Sequence, residues 1–135
     1  MATPCASFAG VIAFLRDHRS WPELGSGEAF RSGREFSAYL GLTPKQYSSG
    51  GKTNLMGISR FVANKRLRAV LIQGARAYIH RVKEPSSPKD QWLMKLVERA
   101  GYGKASVALA NKNVRTAWAM LTKGEDYDRY YGVAA

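Results

Sequence analysis

Residues 46–53 read QYSSGGKT, a run in which almost every residue type has chemistry to offer. The hydroxyls of Ser48 and Ser49 stand beside Gly50 and Gly51, which allow close backbone approach, and Lys45 and Lys52 flank them. One possibility is a loop that cradles a nucleotide. That requires G-x-x-x-x-G-K-[ST], yet the residue five before Gly51 is Gln46. Such a loop also follows a buried strand and opens a helix, whereas residues 36–42 read as helix and turn, and 54–63 carry no helical stripe. Nor does a later apolar strand end in an Asp that could hold magnesium. The other possibility is attack on phosphate. A serine hydroxyl is a poor nucleophile until its proton is removed and the phosphate is neutralised. The lysines could neutralise, and the amides of a glycine turn can form a nest for an anion. From residue types alone, a flexible polar turn is the plainer account.

The charge distribution favours a polyanion. The 135 residues carry a formal net charge of +11. Residues 1–40 hold four basic and four acidic side chains, and residues 84–135 hold eight and six. Residues 41–83 hold Lys45, Lys52, Arg60, Lys65, Arg66, Arg68, Arg76, Arg81 and Lys83 with no Asp or Glu. A surface that serves only solubility mixes its signs, so an unmixed block of nine cations points to nucleic acid.

Other classes are excluded by simple counts. Cys5 is the only cysteine, and His18 and His80 are the only histidines, so neither a disulfide nor a closed Cys/His zinc site can form. The longest apolar run, residues 8–15, is too short for a membrane span, and no secretory signal is evident. A cytoplasmic protein with no membrane partner is expected.

The elements that must position these residues read as helical. A short helix is expected over residues 7–19. Ser32 and Glu35 have capping-box spacing ahead of Phe36, Tyr39 and Leu40, with Gly41 as a stop. Residues 41–59 show no sustained period and are broken by Pro44, Gly50, Gly51 and Gly57, so they read as a structured loop. Asn64 is placed to cap a helix striped by Leu67, Val70, Leu71, Ala75, Tyr78, Ile79 and Val82. Ser87 and Pro88 open another helix that stops at Gly101, and a last runs from about Lys104 to Lys123 before Gly124. Its expected stripe is Val107, Val114, Trp118 and Leu121, with Asn111 set into it either as a buried hydrogen-bonding residue that positions the loop, the favoured reading, or as a contact to nucleic acid. Trp92 and Trp118 are read as core, Trp21 is left unassigned, and His80 as a solvated helix residue. Tyr47 is a less favoured nucleophile, because it would need an Arg-His-Arg cluster of which Arg76 and His80 supply only part. The fold class is therefore a small, mostly α domain with a structured glycine-rich loop between helices.

Three segments carry a family resemblance: FRSGREFSAYLGLTPKQYSSGGK over residues 30–52, ALANKNVRTAWAML over 108–121 and GEDYD over 124–128. They resemble the C-terminal domain of insertion-sequence transposases that pair a RuvC-like DEDD domain with a C-terminal serine. That family includes pilin-gene invertases and recombinases guided by a structured bridge RNA. The resemblance makes residues 30–128 the transposase domain, 1–29 a divergent N-terminal segment and 129–135 a tail. It implies that Ser49, or its neighbour Ser48, attacks DNA to give a phosphoserine link. It further implies DNA and guide RNA as partners and homo-oligomerisation of the full-length form. No cofactor is expected in this chain. Mg2+ is expected in the DEDD domain, which would act in cis or in trans.

Departures accompany the resemblance. No DEDD carboxylates are present, and the expectation is a remnant or isolated piece. The basic segment after the S-G motif reads ISRFVANKRLR over residues 58–68, one residue longer than the family's usual form and without its glycine. A noncatalytic nucleic-acid-binding module is the alternative reading.

Overall fold

The computed structural model of the chain describes residues 28–58 and 65–124. The expected helix over 7–19, Trp21, Arg60, the Asn64 cap and the GEDYD segment after Gly124 lie outside them. In order, the described elements are α1 (Gly33–Tyr39), β1 (Pro44–Ser49), β2 (Lys52–Ile58), α2 (Lys65–Arg81), α3 (Pro88–Ala100) and α4 (Tyr102–Lys123). The fold is mostly helical, as the sequence indicates. The segment read as a loop is instead an antiparallel hairpin. Among the described residues no helix is long and apolar enough to cross a membrane.

α1 is short and is held at both ends by side chains and turns. Ser32 caps it, its Oγ accepting from Glu35 N at 3.2 Å. The reciprocal bond of a capping box is displaced by one residue, because Glu35 Oε2 accepts from Arg31 N at 2.7 Å rather than from the cap residue. At the other end Gly41 has φ +70°, its N–H donating to Ala38 O while Leu42 N donates to Ser37 O. This paired 6→1 and 5→2 arrangement is a Schellman motif, which fixes the exit direction of the chain. Leu40 and Leu42 are buried on either side of it, so the entry to β1 is anchored in the core.

α4 is the common packing partner: α1, α2 and α3 all lie against it. Its buried line is Ala105, Leu109, Ala110, Val114 and Ala117. The expected stripe of Val107, Val114, Trp118 and Leu121 is thus corrected in detail, since Val107 and Trp118 are only half-buried. Small residues serve better on a helix approached from several sides, because they let neighbouring backbones come close. Gly33 shows the same effect, since a Cβ there would meet the Arg115 carbonyl oxygen at 3.1 Å. α2 contributes Leu67, Leu71, Ala75 and Ile79, whereas Val70, expected in the same stripe, is 42% exposed because it falls roughly 60° outside the arc those residues span; Phe36 and Leu93 complete the buried interior.

Polar ties help to set the helices' relative positions. Ser37 Oγ donates to Asn111 Oδ1 at 2.7 Å, joining α1 to α4 and giving Asn111 the hydrogen-bonding role its sequence position indicates. Asp90, 1% exposed, takes part in the capping box of α3 with Ser87. It also accepts from Tyr78 Oη at 2.5 Å, tying α3 to α2. Gly101, with φ +90°, ends α3 and starts α4, which therefore begins at Tyr102 rather than near Lys104.

Truncation at Asp90 removes the acceptor for a half-buried phenol and a buried amide together. Asp90→Ala is expected to destabilise the domain by about 2–4 kcal/mol, given the cost of orphaned buried donors plus a lost cap. Chemical denaturation followed by circular dichroism measures it.

Candidate nucleic-acid interface

The tip of the hairpin is set by two glycines. Gly50 and Gly51 have φ of +59° and +79°, both in the left-handed region, as the two-residue turn matched to strand twist requires. Glycine adopts such angles without steric cost, whereas a side chain there is strained even in open space. The space is open, since a Cβ placed at either position would meet nothing within 4 Å. The dipeptide between two strand-length runs is the sequence signal for a hairpin. Weak alternation obscures it, as does an irregularity between Pro44 and Gln46 that breaks the period of two.

The register then sorts the two serines. Ser49 pairs with Lys52 and Ser48 pairs with Thr53. Successive strand residues point to opposite faces, so Ser49 and Lys52 share one face at the end rung, and Ser48 takes the other. Directly opposed residues have Cβ atoms about 4.5–5.5 Å apart, within reach of a lysine ammonium placed on a phosphate held by the serine hydroxyl. Ser48, Ser49 and Lys52 are all exposed, as is Lys45 near the start of β1. Among the described residues, the hairpin's extensive contact is between its own strands.

The other predicted cations belong to α2 and its exit. Lys65, Arg66, Arg76 and Lys83 are exposed and Arg68 is half-exposed. Lys65, Arg66 and Arg68 crowd the first turn, which has no acidic residue. Positive charge at a helix N-terminus opposes the helix dipole and typically costs a few tenths of a kcal/mol per residue. An anion seated there would reverse that sign. The side chain of Tyr47 lies outside the described residues. His80 lies against Tyr102, ring centroids 5.0 Å apart, while the Arg76 carbonyl accepts from Tyr102 Oη at 3.2 Å. Among the described residues, no group of three or more His, Cys, Asp or Glu side chains could hold a metal ion.

An exposed serine at a glycine turn, a cation opposite it and a basic helix beyond suit a protein that handles nucleic-acid phosphates. In keeping with that chemistry, residues 19–91 match the model of the transposase IS116/IS110/IS902 family, and the chain belongs to this family of transposases. It is 43% identical over 116 residues to the transposase for insertion sequence element IS1111A of Coxiella burnetii, covering 86% of this chain and 32% of that protein. It is 41% identical over 103 residues to a probable family 20 transposase of Pseudomonas aeruginosa, covering 76% and 30%. The transposase for element IS1328 of Yersinia enterocolitica is 40% identical over 107 residues, covering 79% and 32%. The chain therefore spans about a third of the length of these relatives. No solved structure matches it.

Because only backbone strain is at stake at the turn, substitution there separates the hairpin from the helical core. Gly50→Val with Gly51→Val is expected to abolish amide protection in residues 44–58 while leaving α1–α4 protected. Gly50→Asn should retain the hairpin, since Asn-Gly favours the same turn. Hydrogen exchange read by NMR distinguishes these outcomes.

Proposed function

We propose that this chain is the serine-bearing, nucleic-acid-binding domain of a DNA transposase, with Ser49 as the nucleophile. The observation that carries the reading is the pairing of Ser49 with Lys52 on the exposed end rung of the hairpin. Ser49 Oγ attacks a DNA phosphodiester, forming a Ser–O–P bond as one P–O bond to deoxyribose breaks. The proton released by Ser49 ends on the leaving deoxyribose oxygen. Lys52 lies on the face where the phosphate gathers negative charge, a placement from which an ammonium stabilises the transition state. Ser48, on the other face opposite Thr53, is the poorer candidate. The phosphoserine link preserves the bond for rejoining.

Lys45, Arg60, Lys65, Arg66, Arg68, Arg76 and Lys83 hold the DNA backbone, and the resemblance adds a structured guide RNA. Affinity through such contacts falls steeply with salt, because each neutralised phosphate releases counterions. A RuvC-like DEDD domain, in cis or from another subunit of a homo-oligomer, supplies the carboxylates and the Mg2+ that these residues do not.

The test combines the purified chain, a suicide DNA substrate and a separately supplied RuvC-like domain from a relative. Ser49→Ala should eliminate the covalent protein–DNA adduct, whereas Ser48→Ala should retain it. An adduct that survives Ser49→Ala would overturn the assignment. Salt-dependent binding with no adduct from any form of the chain would favour a noncatalytic module.

A further inference from the structure

The block over residues 41–83 is not the only part of the chain where charge is unmixed. Between residues 99 and 124 there are five basic side chains, Arg99, Lys104, Lys112, Arg115 and Lys123, and no Asp or Glu. α4 occupies nearly all of this stretch, and its Lys104, Lys112, Arg115 and Lys123 are exposed. At 3.6 residues per turn, Lys104, Lys112 and Arg115 fall within roughly 80° of arc, on one strip. Ala110 and Ala117 are buried on the opposite side of the helix. Exposed Arg34 stands at the edge of the strip, because its neighbour Gly33 lies against the Arg115 backbone.

Helix stability does not account for this strip. Lys112 and Arg115 are like charges three residues apart, a spacing at which they repel, and Lys104 sits near the positive end of the helix dipole. Lys112 is also held in place, its Nζ lying 4.4 Å from the centre of the Trp92 ring, a contact that orients the ammonium without removing its charge. The strip runs about 16 Å along the axis at 1.5 Å per residue, long enough to meet several phosphates of one strand. Half-buried Ala108, rather than an exposed aromatic, lies between the cations, which favours a duplex backbone over unstacked bases.

The strip also faces away from α2. Both helices turn their apolar sides into the shared core, α2 through Leu67, Leu71, Ala75 and Ile79, so their charged sides diverge. We propose that Lys104, Lys112 and Arg115, with Arg34 beside them, form a second surface for duplex DNA, and that the helical core separates two duplexes. The proposal extends nucleic-acid binding by the hairpin and α2 but does not depend on the chemistry at Ser49.

The experiment mixes the full chain with two short duplexes carrying donor and acceptor dyes at low salt. Energy transfer between the duplexes is expected, and the triple variant Lys104→Glu/Lys112→Glu/Arg115→Glu should reduce it at least tenfold while still binding one duplex. The second binding step should have a log–log salt slope of about −2.7, from three phosphate contacts at 0.9 each. Arg66→Glu/Arg76→Glu should weaken the first site and spare the second, so failure of one surface is distinguishable from failure of the other. Circular dichroism confirms that the variants fold, and the corresponding alanine triple should act in the same direction. Undiminished transfer in the glutamate triple would overturn the proposal by showing that chain–chain contact joins the duplexes. Binding of one duplex or none by the unaltered chain would overturn it equally.

Discussion

The Gly50–Gly51 turn holds two successive residues at positive φ, and it is this turn that closes β1 on β2 with Ser49 opposite Lys52. Slipping the strands by one residue would move every side chain to the other face, placing Ser48 where Ser49 now stands. The choice between two adjacent, chemically identical hydroxyls therefore rests on backbone geometry. Glycine supplies that geometry at no steric cost, and the lysine that follows the pair becomes the cation beside the proposed nucleophile.

The helices give this hairpin its base. Leu40 and Leu42 bury the chain on both sides of the left-handed Gly41, so the direction in which β1 leaves is fixed by the core. α1 is fixed in turn by the Ser37–Asn111 hydrogen bond and by the close approach of Gly33 to Arg115. Asp90 performs the matching task on the other side, joining the start of α3 to Tyr78 of α2. A two-stranded hairpin is marginal by itself in water, and among the described residues the extensive contact of this one is internal.

Local signals in the sequence translate well into structure where one residue type has one physical use. Ser87 with Pro88, the stops at Gly41, Gly101 and Gly124, and Leu67, Leu71, Ala75 and Ile79 of the α2 stripe lie where capping and periodicity place them, while Val70 of that stripe is exposed. The hairpin is hidden because its strands lack a clean apolar/polar alternation and its period is interrupted between Pro44 and Gln46, leaving the glycine pair as the one clear cue. On α4 the periodic large residues suggest the core, yet alanines occupy much of it, because packing from three helices rewards small size over hydrophobicity. At the candidate site, the residue types of Ser48, Ser49 and Lys52 are plain from sequence, but their partition between two faces requires the register. Asn111 likewise shows that it needs a partner, and only the fold brings Ser37, 74 residues away, to meet it.

The most direct test of the arrangement at the tip is a nuclear Overhauser spectrum of the isotopically labelled chain, read for cross-strand contacts in residues 44–58. Contacts between the backbone protons of Ser49 and Lys52, and between those of Ser48 and Thr53, are the expected result. A spectrum that instead pairs Ser48 with Lys52, or shows no cross-strand contacts, would contradict it.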